Sequence, residues 1–465
     1  MGDILISRDY RVNLPNSTAT YNNPGCSRIL TYPPTLIPWV TIMIITKTDR
    51  SFLEEMLSDV KAASTVHPRK RVGDSAANSL GFAVTRPGGR DCYPAFWIRD
   101  FAMSLCSGCI PNDELSNSIV LVAERQADIE ARLPSGAIIP VGAIPDHITF
   151  DGEPIFFPGS YDPEDQGGEP WGVLPSLDDQ YWFIDMAFEY VSNGGDAGFL
   201  DQNIKGKRLI DRLEEAYAMP PCDTESALIM CDKSNRGVSF GFTDSIYHTG
   251  KLLFTSLLKC RGARHLAEIF SRVGVKDVSL AYRQAYDKIQ KAIAKAFVHS
   301  SGLLRSSTMV SCQPDVWATA FAVYEGLLPH GIEKQACEAL LGLFKADAIS
   351  WRGNIRHVPT THDFSVSTSW ERTAGGKKNI YQNGAYWGTP TGWVAYALSK
   401  ADYQAACSLI KEFIAELREG DFRKGKECGS PWECMHPDGN HRQNPVYLTS
   451  VSCPMAALER IITAD

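Results

Sequence analysis

The chain has 465 residues, 44% hydrophobic and 22% charged, with a formal net charge of −8 at pH 7. Apolar material on this scale excludes an unfolded chain, and an acidic balance without any Lys/Arg run excludes nucleic acid as a natural partner. Ten Trp residues and 10% aromatics suit a protein whose ring faces stack on pyranoses, although any one Trp can equally fill core.

Residues 1–50 are rich in Pro, Asn and Thr with short β-like runs. They read as an N-terminal arm packed on a body formed by residues 51–465. The most apolar run, Leu36 to Ile45, is broken by Pro38 and falls short of the ~20 residues a bilayer span needs. Met1-Gly2-Asp3 opens no basic-then-apolar signal segment, so no membrane partner is expected. Thirteen cysteines, an odd number, run from Cys26 to Cys453. Without a signal segment they predict reduced thiols and a cytoplasmic setting. Cys106-Ser-Gly-Cys109 has redox-motif spacing, but it follows a helix rather than a strand and reads as structural.

From residue 51 the apolar period becomes helical, with Ser51 and Glu54 at capping-box spacing. Pro87-Gly-Gly-Arg90 leads to Trp97, Arg99 and Asp100 at a loop-to-helix junction. The Arg–Asp pair can present donors and an acceptor to sugar hydroxyls, or serve as an ion pair or helix cap. A helix over Asp113–Leu133 carries Leu115, Ile119, Val122 and Ile129 on one stripe. Asp178 and Asp179 then begin an apolar helix among Trp171, Tyr181 and Trp182. Two acids there fit dipole-stabilised caps, while aromatic surroundings raise a carboxyl pKa as a general acid requires. Glu169 is a second candidate in the same loop. Asp244 also begins a helix after a loop, near the middle of the chain, and rivals Asp178 for the acid's role.

Leu280–Phe297, Ile332–Phe344 and Tyr403–Leu417 repeat the helical stripe. Tyr381-Gln-Asn-Gly-Ala-Tyr-Trp387 is rich in amides and rings and can bring Gln382, Asn383 and Trp387 to a sugar. Trp432-Glu433 lies in a loop before a last helix, Tyr447–Ile462, and supplies a candidate base. About twelve helical segments are expected, with long loops at 136–175, 219–242, 345–386 and 420–447. This predicts an all-α (α/α)₆ barrel of six hairpins whose loops build a pocket at one rim.

In this order the motifs resemble the six-hairpin glycosidase superfamily, with the pattern most similar to alkaline/neutral invertases. The likeness rests on Ile98-Arg99-Asp100-Phe101, Leu177-Asp178 with Trp182-Phe183-Ile184, Tyr381 to Gly388, and Pro431-Trp432-Glu433. It covers residues 87–465 in islands, and Pro87-Gly-Gly-Arg90 is also trehalase-like. Gly388 stands where that family has proline, and Asp179 where serine is usual. The resemblance implies an exo-acting, inverting hydrolase of a small oligosaccharide or glycoside. Asp178 would be the acid and Glu433 the base, with carboxyls ~6.5–9.5 Å apart. Trp97, Arg99, Asp100, Gln382, Asn383, Trp387 and Trp432 would hold the sugar. Ten His residues form no H-x-x-x-H or H-x-H pair, so neither metal nor other cofactor is expected. A homo-oligomer is compatible with these features. An epimerase using His248, His357, His362 and His436 remains an alternative, as does a phosphorylase with Arg352, Arg356, Lys377 and Lys378 around a phosphate.

Overall fold

The computed structural model describes residues 45–156, 166, 171–239 and 241–463. Twelve α-helices alternate between two concentric rings. The inner ring is α2 (Ile98–Ser104), α4 (Asp179–Ser192), α6 (Leu253–Arg272), α8 (Val316–Tyr324), α10 (Thr391–Ala401) and α12 (Thr449–Thr463). Each packs on the next, and α12 closes back on α2. The outer ring is α1 (Lys47–Ser64), α3 (Asn112–Arg125), α5 (Leu209–Ala218), α7 (Lys276–Ala296), α9 (His330–Lys345) and α11 (Tyr403–Glu419). The fold is the expected all-α (α/α)₆ barrel.

Composition assigns each helix to its ring. Eight of the nine residues of α8 are buried, as an inner helix apolar all round must be, and all seven of α2 are buried, Arg99, Asp100 and Ser104 included. In α7 only Ser279, Ile289 and Ile293 are buried, and its charged residues face outward. One continuous apolar cluster fills the barrel wall. Among the described residues no helix is long and apolar enough to cross a membrane.

Several boundaries differ from the sequence reading. Residues 1–44 of the predicted arm lie outside the described residues, and its boundary at residue 50 falls inside α1. The capping box is Thr46 with Asp49, not Ser51 with Glu54. Thr46 has extended backbone, and its hydroxyl accepts from the Asp49 N–H. Helix α3 ends at Arg125, because Gln126 turns extended. Ile129 is therefore 80% exposed rather than on the stripe.

The long loops carry short strands that the sequence gives no period for. Ser350–Trp351, Asn354–Ile355, Tyr386–Trp387, Trp432–His436 and His441–Pro445 form one antiparallel sheet. Ala95–Trp97, His147–Thr149 and Pro154–Ile155 form another. Both sheets lead into N-termini of inner helices and build the rim.

Candidate active site

The rim encloses a pocket of about 200 Å³, lined by Tyr93, Trp97, Arg99, Asp100, Asp146, His147, Phe242, Asp244, Tyr381 and Tyr447. Its walls are aromatic. Trp97 stacks on His147 at 4.2 Å and meets Tyr93 edge-on at 4.9 Å. Phe242 stacks on the buried Trp387 at 5.2 Å. Tyr93, Phe242 and Tyr381 hold φ of 53°, 52° and 47°, a left-handed backbone unusual for bulky residues. Such strain, of order 1–3 kcal/mol each, persists where the surroundings over-determine it and clusters at functional sites.

Arg99, at the first turn of α2, is the electrostatic hub. Its Nε donates to Asp178 Oδ2 at 2.7 Å and its Nη2 to Asp178 Oδ1 at 3.0 Å. Its Nη1 donates to Asp244 Oδ1 at 3.2 Å. Burial opposes the charge, but Asp178 and Asp244 hold the guanidinium firmly protonated. Asp178 also accepts from Ser176 Oγ at 2.7 Å and Trp182 Nε1 at 3.1 Å. Both its oxygens are thus occupied, and it has no exposed surface.

Asp244 differs. It lines the pocket with 13% of its side chain exposed. Burial pushes its carboxyl pKa up, against the pull of Arg99. Gln382 fixes it: Nε2 donates to Asp244 Oδ2 at 2.7 Å, while Oε1 accepts from the Ser245 N–H at 2.7 Å. Glu433, on the strand Trp432–His436, is fully buried. The Tyr93 hydroxyl donates to its Oε1 and Asn444 Nδ2 to its Oε2, each at 2.5 Å. Burial lifts Glu433 to about 8, although both donors favour the carboxylate. Asp100 accepts from the Tyr447 hydroxyl at 2.5 Å and is raised by burial to about 7.

The structure therefore brings Trp97, Arg99, Asp100 and Asp244 to the pocket wall and Glu433 directly behind Tyr93. It draws the other predicted residues elsewhere. Asn383, 2% exposed, accepts from Thr368 Oγ1 and the Ser369 N–H and braces its own loop. Gln382 likewise faces Asp244, not open pocket. Trp387 underlies the pocket floor beneath Phe242. Asp179 is buried beside Asp178 and Ser176, and burial and then Asp178 push its pKa well up. Tyr181 points outward to Tyr217 of α5. Trp432 packs on Gly429, and Trp171 is half-buried outside the pocket lining. Glu169 lies outside the described residues.

None of the residues named for the alternatives lines the rim pocket. His357 stacks on Trp317 at 3.6 Å, His248 meets Trp370 and His436 meets Tyr386. Arg352 pairs with Glu419, and Arg356 and Lys378 with Asp363. Sequence reasoning passed over Tyr93, Asp146, His147, Phe242, Tyr381, Asn444 and Tyr447 as site residues. Tyr93 and Tyr381 stood inside motifs already singled out, and Tyr447 sat at the last helix boundary. Asp146-His147 carried no signal beyond its place in a long loop.

Solved structures sharing this fold are glycosidases. An alanine variant of a glycosidase superposes with a TM-score of 0.54 at 14% identity, covering 90% of this chain and 99% of its own. A glycosidase variant in complex with glucose gives 0.53 at 14% identity over the same shares. A glycoside hydrolase family 15 glucoamylase from Hypocrea jecorina gives 0.53 at 13% identity, covering 90% of this chain and 72% of its own. No protein-family model matches the chain, and no curated protein does. At these identities the likeness is one of fold: the chain shares the (α/α)₆-barrel architecture of these structures. The narrower likeness to alkaline/neutral invertases finds no support in these neighbours.

Proposed function

We propose that the chain is a glycoside hydrolase in which Asp244 is the general acid and Glu433 the general base. One observation carries this reading. Two buried carboxyls, each braced by dedicated donors and raised by burial, serve a single aromatic-walled pocket, Asp244 in its lining and Glu433 behind the lining residue Tyr93. The geometry favours Asp244 over Asp178 as acid, because Asp244 lines the pocket and Asp178 does not. Asp178 becomes the counter-ion that positions Arg99, and Arg99 in turn steers Asp244.

In this mechanism protonated Asp244 gives its proton to the glycosidic oxygen. Ionised Glu433, linked to the pocket by the Tyr93 hydroxyl, takes a proton from the water that attacks the anomeric carbon. Attack opposite the leaving group inverts that carbon. About 200 Å³ suits one sugar ring, which supports exo-action on a small carbohydrate. Trp97, Tyr93 and Phe242 offer ring faces, and Asp100, Asp146 and His147 offer polar atoms. Free thiols throughout the described residues fit work in a reducing, cytoplasmic compartment.

The test is a panel of disaccharides and aryl glycosides, with and without phosphate, with the first-formed anomer read by NMR. Hydrolysis independent of phosphate and an inverted product are expected. Phosphate dependence, or a retained anomer, overturns the two-carboxylate hydrolysis.

A further inference from the structure

At the opposite end of the barrel from the rim pocket, all six inner helices and the turn after α2 line a second cavity of about 270 Å³. Two cysteines share its wall. Cys106, in the turn after α2, is exposed, while Cys453, inside α12, is buried. Their sulfurs converge on one atom: Cys106 Sγ lies 3.0 Å and Cys453 Sγ 3.6 Å from the Met103 carbonyl oxygen. Contact with Cys106, and then burial, push the Cys453 thiol well up. The redox-motif partner, Cys109, instead turns its sulfur toward the Ser104 carbonyl at 3.8 Å.

We propose that Cys106 and Cys453 form a reversible disulfide that joins the first and last inner helices. The oxidant is a hydroperoxide entering from the solvent-exposed side of Cys106. The Cys106 thiolate attacks the peroxide oxygen, breaking the O–O bond and giving a sulfenic acid with release of water (or an alcohol). The Cys453 sulfur then attacks the Cys106 sulfur, a second water leaves, and the Cys453 proton goes with it. Two thiols are oxidised and one peroxide is reduced. The bond closes the ring covalently across a long stretch of chain, which restricts the unfolded state strongly. Neither cysteine lines the rim pocket.

The experiment treats the folded full chain with hydrogen peroxide, alkylates the remaining thiols, and maps peptides without reduction. A Cys106–Cys453 crosslink is expected, with a melting temperature raised by several degrees and restored by dithiothreitol. Cys106→Ser and Cys453→Ser should each lose both effects. If Cys453→Ser folds poorly, Cys106→Ser alone decides. A Cys106–Cys109 crosslink, over-oxidation of Cys106 without a crosslink, or an equal rise in Cys106→Ser overturns the proposal.

Discussion

Arg99 divides its guanidinium between Asp178 and Asp244, and that division separates what the two substitutions do. Asp244→Asn is expected to lower kcat by ~10³ while leaving stability close to wild type, since loss of a general acid typically costs ~10²–10⁴. Asp178→Asn leaves a buried guanidinium without its principal counter-ion, and breaking such a pair costs about 3–5 kcal/mol. Urea unfolding beside steady-state kinetics distinguishes them. A stable but inactive Asp178→Asn would return the acid's role to Asp178.

Glu433 sets a second expectation. Burial raises its pKa to about 8, and a general base works ionised. The ionised fraction grows tenfold per pH unit below that value, so Glu433 contributes a rising limb to kcat/KM below pH 8, opposed by a falling limb as Asp244 loses its proton. A profile with no rising limb below pH 8 removes Glu433 from the base's part. Tyr93→Phe removes a donor that favours the carboxylate, so the rising limb should move to higher pH. An unmoved limb would detach that limb from Glu433. At this scale the sequence marked the acids and Arg99, because charged residues beside aromatics at loop-to-helix junctions stand out. It could not rank Asp178 against Asp244, since both read as helix starts, although Asp244 in fact lies in a turn well ahead of α6 (Leu253–Arg272). What separates them is which one reaches the pocket, and that is set by the packing of loops 79 and 145 residues from Arg99.

Among the elements, helices were legible and rim strands were not. The stripe over Ile332–Phe344 falls within the outer helix α9, and that over Tyr403–Leu417 within the outer helix α11. The strands run two to five residues and pair with partners from distant loops, as Ile355 does with Trp387 and Tyr386 with Met435. No local period of two can announce them. The loop carrying Gln382 depends on Gly384, which has φ 105°. A Cβ there would collide with Ser369 and Arg356. Gly384→Ala should therefore lower the melting temperature and, by loosening Gln382 from Asp244, lower kcat as well. Wild-type kcat in this variant would remove Gln382 from the support of the acid.

The whole molecule is a closed ring, and its site exists only where the ring meets itself. Tyr93 and Tyr447 rings lie 5.7 Å apart, and the Tyr447 hydroxyl reaches Asp100 across 347 residues of sequence. A chain ending before Thr449 would leave α2 and α10 with bare apolar faces and should aggregate on expression. A soluble, cooperatively melting truncation would contradict this. The same closure imposes an order in time. At about 5–20 residues per second, a ribosome needs roughly 20–70 s to travel from Asp100 to Tyr447. Throughout that interval the nascent barrel is an open crescent. The wall that α12 and Tyr447 supply is missing, and with it the desolvation that raises Asp100 and Glu433. The complete pocket therefore arrives last, within one late docking event, and the unfinished seam is the surface a chaperone would have to guard.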